Sequence, residues 1–121
     1  METTLLTPSR IQRGELWRVN LNPTQGDEIS KIRPCIVLSN ASAGRLNLHI
    51  VVPVTDWKAH YINYFWMTQL APDEKNTLNK ISAADAFQVR SVSLLRFVSY
   101  VGVTSDERVE RIIKAVALCM R

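Results

Sequence analysis

Alternating and wholly apolar runs of residues, separated by turn-forming residues, predict a series of short strands. Between residues 16 and 21 apolar and polar side chains alternate, with Trp17, Val19 and Leu21 on one face and Arg18 and Asn20 on the other. This period of two residues is typical of a strand buried on one face. The turn-forming run NPTQG at residues 22–26 ends it.

Two further runs lack polar alternation and predict strands covered on both faces. They lie at residues 34–39 and 48–54, and the small, polar residues 40–47 between them predict a loop. Because Pro53 has no N–H to donate, we expect strand pairing to lapse near that end of the second run.

The later part of the chain has a mixed pattern. Residues 61–70 are rich in aromatic side chains, which favours a strand over a helix. Residues 71–80 predict a loop. Residues 82–92 begin with the helix-favouring run SAADA and continue with the strand-like FQVRSV, and we interpret the whole segment as a strand. Residues 94–98 then predict one helical turn, and residues 100–103 a last short strand.

The C-terminal segment predicts an amphipathic helix. The run TSDE at residues 104–107 has the capping-box pattern of an N-cap side chain with a glutamate three residues later. One apolar stripe follows at helical spacing, formed by Val109, Ile112, Ile113, Val116 and Met120. Five or six short strands and one terminal helix predict a mainly β (α+β) fold, a small barrel over residues 13–121. Residues 1–12 show no period and predict a flexible lead-in.

Composition narrows the class of protein. At 121 residues the chain can form one core without metals or cross-links, and Cys35 and Cys119 are expected to be free thiols. The net charge of +4 favours an anionic partner such as RNA, DNA or an acidic protein segment. No apolar run approaches the ~20 residues of a membrane helix. The N-terminal residues lack the apolar core of a secretory signal, so we expect a cytoplasmic protein with no membrane partner.

Motifs for cofactor and metal chemistry are absent from the sequence. It contains no Gly-rich phosphate loop, no HExxH, no GxSxG and no zinc-spaced Cys/His cluster, so neither a cofactor nor a metal is predicted. His49 and His60 could form the acid–base pair of an RNA-cleaving site. The stronger interpretation is that His49 is a packed or edge-strand histidine and that His60 is a surface residue. The aromatic residues that follow are mostly core candidates, but Trp57 has the setting of an exposed ring on which a base can stack.

Arg33 is the most distinctive candidate for binding chemistry. It directly precedes Pro34, which favours an extended backbone and limits the side chain before any ligand arrives. The planar guanidinium fits a phosphate and does not titrate at working pH. The alternative is a salt bridge to Glu28 or Asp27, and these residues alone leave both interpretations open.

Three segments together resemble the MazF/PemK family of toxin endoribonucleases. The first comprises RGELW at residues 13–17, LNPTQGDE at 21–28 and IRP at 32–34. The second is VPVT at residues 52–55, a strand that ends in threonine, and the third is SAADAFQVRSV at residues 82–92. The first segment is long and specific, and the three occur in the family's order.

The resemblance implies an SH3-like barrel that forms a homodimer, cleaves single-stranded RNA without a metal and is inhibited by a cognate antitoxin. In such enzymes the ribose 2′-OH attacks the neighbouring phosphate, which gives a cyclic phosphate and a 5′-OH. By this resemblance Arg33 and Thr55 are the catalytic residues. The loop carboxylate maps to Glu28, which is either the general base or a residue that positions RNA. The glutamine of the third segment maps to Gln88, which is expected to bind RNA at the edge of a base.

Two further candidates and two alternative functions complete the hypothesis. Lys31 is assigned to steering RNA and Trp57 to binding it. Asp27 departs from the small polar residue common at this position, and residues 56–80 follow no family pattern. One alternative is a non-enzymatic toxin resembling CcdB, which poisons DNA gyrase through a C-terminal Trp-Gly-Ile that this chain lacks. The other is a catalytically silent nucleic-acid-binding barrel.

Overall fold

The computed structural model describes residues 10–40 and 47–121, which form strands, short 3-10 turns and one helix. The strands are β1 (Glu15–Asn20), β2 (Ile32–Val37), β3 (Leu48–Asp56), β4 (Met67–Leu70), β5 (Ser82–Asp85), β6 (Arg90–Ser93) and β7 (Phe97–Val103). The 3-10 turns span Ala59–Asn63, Ala86–Gln88 and Leu94–Arg96, and the helix α1 spans Asp106–Cys119. Most of the predicted lead-in, and residues 41–46 of the second predicted loop, lie outside the described residues. Ile11 is fully buried in the core.

The strands form one antiparallel sheet in the order β4-β5-β3-β2-β1-β7, with β6 also paired to β3. One edge of β3 pairs with β6 from Leu48 to Val51 and with β5 from Val54 to Asp56. Pairing on this edge therefore lapses around Pro53, as its missing N–H predicts, although β3 itself continues to Asp56.

The central strands β2 and β3 are buried on both faces. Cys35, Val37 and Val51 point into one apolar core, together with side chains from β1 and β7. Ile36 and Val52 point the other way, into a second core that α1 covers. Because successive side chains of a strand point to opposite faces, a strand between two cores must be apolar throughout. This explains the two runs without polar alternation.

The sheet is barrel-like, but its ladder does not close within the described chain, where β4 and β7 form its edges. The loop of residues 71–80 lies between them. The Val103 N–H donates to the Lys75 carbonyl at 2.9 Å, and the Thr77 hydroxyl donates to the Val101 carbonyl at 2.8 Å. At Gly102 a Cβ would lie 2.4 Å from the Lys75 carbonyl oxygen, so only glycine permits this approach. The predicted mainly β fold with a C-terminal helix is confirmed.

Two strand predictions are wrong in part. Residues 59–63 form a 3-10 turn, and only Met67–Leu70 of the predicted aromatic strand pairs in the sheet. The aromatic rings pack on one another instead, with Tyr64 and Trp66 stacked at 4.6 Å. The single strand predicted over residues 82–92 is two strands, since the Asp85 carboxylate accepts the Phe87 N–H at 3.1 Å and stabilises a turn between them.

The helix begins one residue later than the capping-box pattern predicts. Ser105 is the N-cap, and its hydroxyl accepts the Arg108 N–H at 3.3 Å. Val109 and Ile112 are buried as predicted, whereas Met120 lies beyond the helix and is 73% exposed. No helix in the described part of the chain is long and apolar enough to cross a membrane.

Candidate active site

Arg33 lies near the start of β2, where Val19 of β1 is its pairing partner. Its side chain is half-buried, and its Nε donates to the Ser30 carbonyl at 3.2 Å. Within residues 10–40 and 47–121 the guanidinium makes no other hydrogen bond and no ion pair. The alternative salt bridge to Glu28 or Asp27 is therefore not formed. The terminal N–H groups of the fork have no partner in this part of the molecule.

Thr55 meets Arg33 through the register of β2 and β3. In this antiparallel pair Cys35 lies opposite Pro53. Arg33 lies two residues before Cys35, and Thr55 lies two residues after Pro53. Both are therefore on the same face, at the same end of the strand pair. Both side chains line one surface pocket of about 270 Å³. The two residues assigned to catalysis are thus brought to one site.

The pocket has an excess of positive charge. Arg18 and Lys80 line it together with Arg33, whereas Asp56 is the one carboxylate in its described lining. Lys80 Nζ pairs with Asp56 Oδ2 at 3.1 Å, which leaves the charges of Arg18 and Arg33 uncompensated in the pocket. A pocket of this kind attracts an anion.

Sequence reasoning missed three of these charged residues. Arg18 reaches the pocket because it lies opposite Pro34 in the β1–β2 ladder. Lys80 reaches it because β5 pairs with the end of β3, where Ser82 faces Asp56. Asp56 had a signal, since it directly follows the strand-end threonine. For Arg18 and Lys80 the only signal is the strand pairing itself.

Glu28 and Gln88 line a second pocket, of about 560 Å³. Glu28 Oε1 accepts the Gln25 N–H at 2.7 Å, a contact within its own loop. Gln88 Oε1 accepts the Ile29 N–H at 2.6 Å, and its Nε2 donates to the Asp27 carbonyl and to an Asp85 carboxylate oxygen, each at 3.3 Å. The polar ends of both predicted binding residues are therefore bonded within the protein.

The lining of the Arg33–Thr55 pocket does not include Trp57 or Lys31. Trp57 lines a third pocket, of about 450 Å³, with Tyr61, Arg111 and Lys114. Its ring meets that of Tyr61 edge to face at 5.7 Å. Lys31 is exposed and has a left-handed backbone with φ 69°. The structure thus joins Arg33 with Thr55 and Glu28 with Gln88, and places the aromatic candidate elsewhere.

Burial raises the pKa of two groups, Cys35 and Asp85. Desolvation raises the pKa of the Cys35 thiol to about 12, and the positive charge of Arg90 offsets part of that rise. Desolvation likewise raises the pKa of Asp85, and hydrogen bonds from the Phe87 N–H and from Gln88 oppose the rise. Arg90 is held by the Leu21 carbonyl at 3.1 Å and makes no ion pair in the described ranges.

The two histidines have different environments. His49 is 1% exposed in β3, with Nδ1 2.5 Å from the Ser39 hydroxyl, and is a packed histidine as the stronger interpretation held. His60 is exposed in the 59–63 turn, with its ring against Tyr61. Among the described residues no three His, Cys, Asp or Glu side chains form a group that could hold a metal ion.

Comparison with known proteins identifies relatives over nearly the full chain. The family model for the PemK-like, MazF-like toxin of type II toxin-antitoxin system matches residues 12–120. Endoribonuclease MazF9 of Mycobacterium tuberculosis (strain ATCC 25618 / H37Rv) is 31% identical over 114 residues, which cover 89% of this chain and 94% of that protein. Endoribonuclease PemK of Escherichia coli is 44% identical over 48 residues, 39% of this chain and 36% of PemK.

Solved structures share the fold at lower identity. MazF from Deinococcus radiodurans superposes with a TM-score of 0.77 at 22% identity, covering 91% of this chain and 96% of that one. A mycobacterial endoribonuclease in complex with its cognate antitoxin superposes with a TM-score of 0.69 at 16% identity, covering 91% and 94%. Because the family match spans residues 12–120 and MazF9 matches 89% of the sequence, this chain belongs to the PemK-like, MazF-like toxins of type II toxin–antitoxin systems.

Proposed function

We propose that this toxin is a metal-independent endoribonuclease that cleaves single-stranded RNA at specific sequences. The ribose 2′-OH attacks the adjacent phosphate, so that the bond to the 5′ oxygen breaks and a 2′,3′-cyclic phosphate and a 5′-OH result. The observation that carries the proposal is the pocket shared by Arg33 and Thr55, with its excess of positive charge. Membership of the family, and the endoribonuclease activity that the names of its relatives state, support it.

Arg33 stabilises the charge that develops on the phosphoryl oxygens. Its Nε is held by Ser30, and its terminal N–H groups are left for the substrate. Charge-assisted hydrogen bonds from a fixed donor of this kind are worth roughly 2.7–4 kcal/mol in the transition state. A guanidinium does not act as a base, because it does not lose its proton at working pH. Thr55, on the neighbouring strand β3, holds either the 2′-OH or a phosphate oxygen.

RNA outside the reacting phosphate is contacted by Trp57, Glu28 and Lys31. Trp57 provides a ring for a base, and Arg111 and Lys114 in the same pocket are cations that make no ion pair in the described chain, so they suit the neighbouring phosphates. Glu28 helps to position RNA from the second pocket, and exposed Lys31 steers it electrostatically.

A cognate antitoxin and a second copy of the chain are the proposed protein partners, in the cytoplasm. A net charge of +4 suits an acidic antitoxin segment. For the homodimer, the support is an apolar groove of about 460 Å³ between β6 and α1, lined by Ile50, Val89, Val116 and Met120. Ile50 is 45% and Met120 73% exposed, and a second copy would cover them.

Cleavage of single-stranded RNA in EDTA tests the proposal. The purified protein is expected to cut in the chelator, and mapping of the 5′-OH ends will give the sequence at which it cuts. Binding without cleavage would favour the silent barrel. Inhibited gyrase supercoiling with intact RNA would favour the CcdB-like alternative. An Arg33→Ala preparation that melts like the wild type is the control against a contaminating nuclease.

A further inference from the structure

We infer that Gln88, oriented by Asp85, is a positioning residue that fixes the segment of residues 26–31 and through it the Arg33 guanidinium. The inference deepens the proposed function and rests on it, because the reaction it serves is RNA cleavage. It assigns Gln88 a task other than reading a base. The argument follows a chain of contacts from β5 to the Arg33–Thr55 pocket.

The first link joins Gln88 to the middle of the segment. Gln88 ends the 3-10 turn after β5, 59 positions along the chain from Ile29. Its Oε1 accepts the Ile29 N–H at 2.6 Å, and its Nε2 donates to the Asp27 carbonyl at 3.3 Å. One amide side chain thus replaces the partner strand that this non-helical stretch of backbone lacks.

The second link fixes which way the Gln88 amide faces. Asp85 is 6% exposed; one carboxylate oxygen accepts the Phe87 N–H, and the other accepts Gln88 Nε2 at 3.3 Å. An ionised carboxylate only accepts hydrogen bonds, so the NH₂ end of the amide must face Asp85. The carbonyl end is then directed to the Ile29 N–H.

The third link reaches the reacting site. Ile29 is half-buried against the first core, and the next residue, Ser30, accepts Arg33 Nε at 3.2 Å. The following residue, Lys31, has φ 69°, a left-handed conformation that is unfavourable for a residue other than glycine. A segment that includes this turn needs anchors to hold Ser30 in place. The Leu21 N–H anchors its end at the Lys31 carbonyl, and Gln88 anchors its middle.

Loss of this anchor should affect the chemical step more than RNA binding. When the segment moves, Ser30 no longer limits the Arg33 side chain, and the guanidinium spends less time where the phosphoryl charge develops. Misplacement of a reacting group by about 1 Å lowers a rate by as much as 100-fold. The positive charges of the pocket remain, so the encounter with RNA is little changed.

The test compares Gln88→Met, which keeps the length of the side chain and removes its polar atoms, with Gln25→Met. The Gln25 side chain is exposed and makes no hydrogen bond with the described residues, so it provides the same chemical change in the same loop. We expect Gln88→Met to lower kcat at least tenfold with KM little changed, at the scale set by misplaced groups. Gln25→Met should leave both at wild-type values.

Asp85→Asn extends the test to the second link. An asparagine whose oxygen accepts the Phe87 N–H turns its own NH₂ towards the NH₂ of Gln88, two donors face to face. The variant should therefore lower kcat in the same way while Gln88 itself is intact. Gln88→Glu keeps the acceptor for Ile29 but places a second carboxylate beside Asp85. Its kcat should therefore be little or no higher than that of Gln88→Met.

Hydrogen exchange of the Ile29 amide, followed by NMR without RNA, keeps this inference separate from the proposed function. Faster exchange at Ile29 in Gln88→Met and Asp85→Asn, with unchanged exchange in the core amides of β2, is the expected result. A wild-type protein that does not cut RNA would refute the proposed function. The exchange of the Ile29 amide would still show whether Gln88 holds the segment. Protected Ile29 in both variants, or a higher KM at constant kcat, would overturn the positioning role.

Discussion

Two polar regions of this toxin use their hydrogen-bonding groups in opposite ways. In the Arg33–Thr55 pocket, Arg33 makes one hydrogen bond with the described protein and leaves the ends of its fork unbonded. Around Gln88, the side chain makes three, to Ile29, Asp27 and Asp85. The first region retains donors for an external anion, whereas the second satisfies its own groups.

This difference shows how a binding site can be distinguished from the residues that support it. A donor at the surface of a pocket is hydrated until a phosphate replaces the water, so it can remain unbonded within the protein. A buried carboxylate such as Asp85 needs partners where it lies, because its desolvation is unfavourable. Unused donors therefore mark the site of binding, and saturated ones mark the frame that holds it.

The largest effect is expected from Arg33→Ala. Removal of the charge-assisted donor should lower kcat/KM by roughly 100- to 1,000-fold, the range measured for removal of one preorganised donor. Folding should be nearly unaffected, since the side chain makes only one hydrogen bond with the described residues. Single-turnover cleavage and thermal melting measure the two quantities. Arg33→Lys keeps the charge without the planar guanidinium, and its kcat/KM should lie between the values of the wild type and Arg33→Ala. Cleavage at the wild-type rate by Arg33→Ala would contradict the assignment of its unbonded donors to the substrate.

A smaller effect is expected at Thr55. A hydrogen bond from a hydroxyl to a charged phosphate is worth about 1.5–3 kcal/mol, which corresponds to roughly 10- to 150-fold in rate. Thr55→Val keeps the shape of the side chain and removes the hydroxyl, and Thr55→Ser keeps the hydroxyl. Only the valine variant should lose cleavage in single-turnover assays. Equal rates in both variants would show that the hydroxyl does not contact the substrate.

The start of α1 also has one hydrogen-bonded and one unbonded polar group, and here the difference affects stability. The Ser105 hydroxyl caps Arg108, whereas the neighbouring Thr104 hydroxyl is the one buried side-chain N or O atom in the described chain without a hydrogen-bond partner. Ser105→Ala should lower the free energy of unfolding by about 1 kcal/mol. Thr104→Val should leave it unchanged or raise it, because it removes an unsatisfied group. Urea unfolding of the two variants measures both, and a loss in Thr104→Val would reveal a missed partner.

The smallest effect at neutral pH is expected at Cys35, on the same face of β2 as Arg33. Its pKa is raised by burial from 9.0 to about 12, so the folded protein keeps a thiol proton that the unfolded chain loses near pH 9. The free energy of unfolding should therefore fall as pH rises from about 9 to about 12. Below that range the thiol is protonated in both states, so its titration adds no pH dependence. Unfolding measured across this range should show a shallower fall in Cys35→Ala than in the wild type. Identical slopes would contradict the raised pKa.

The sequence predicts some of these elements because their signals are local. The runs in β2 and β3 are apolar because each strand lies between two cores, and the α1 stripe shows its covered face. The 59–63 turn was missed because its rings pack on one another and on the aromatic residues that follow rather than in the sheet, which β propensity does not report. The contact between Gln88 and Ile29 had no local signal, since the two residues lie 59 positions apart along the chain.

By itself the sequence determined the strand-forming runs, the closing helix and the backbone of Arg33, which Pro34 restricts from the next position. Only the tertiary structure decided that Thr55 stands on the same face as Arg33 and that Lys80 and Arg18 join them. The physical reason is register. Side-chain alternation is a local property of each strand, but which residue faces which is decided by the two cores that fix Cys35 opposite Pro53.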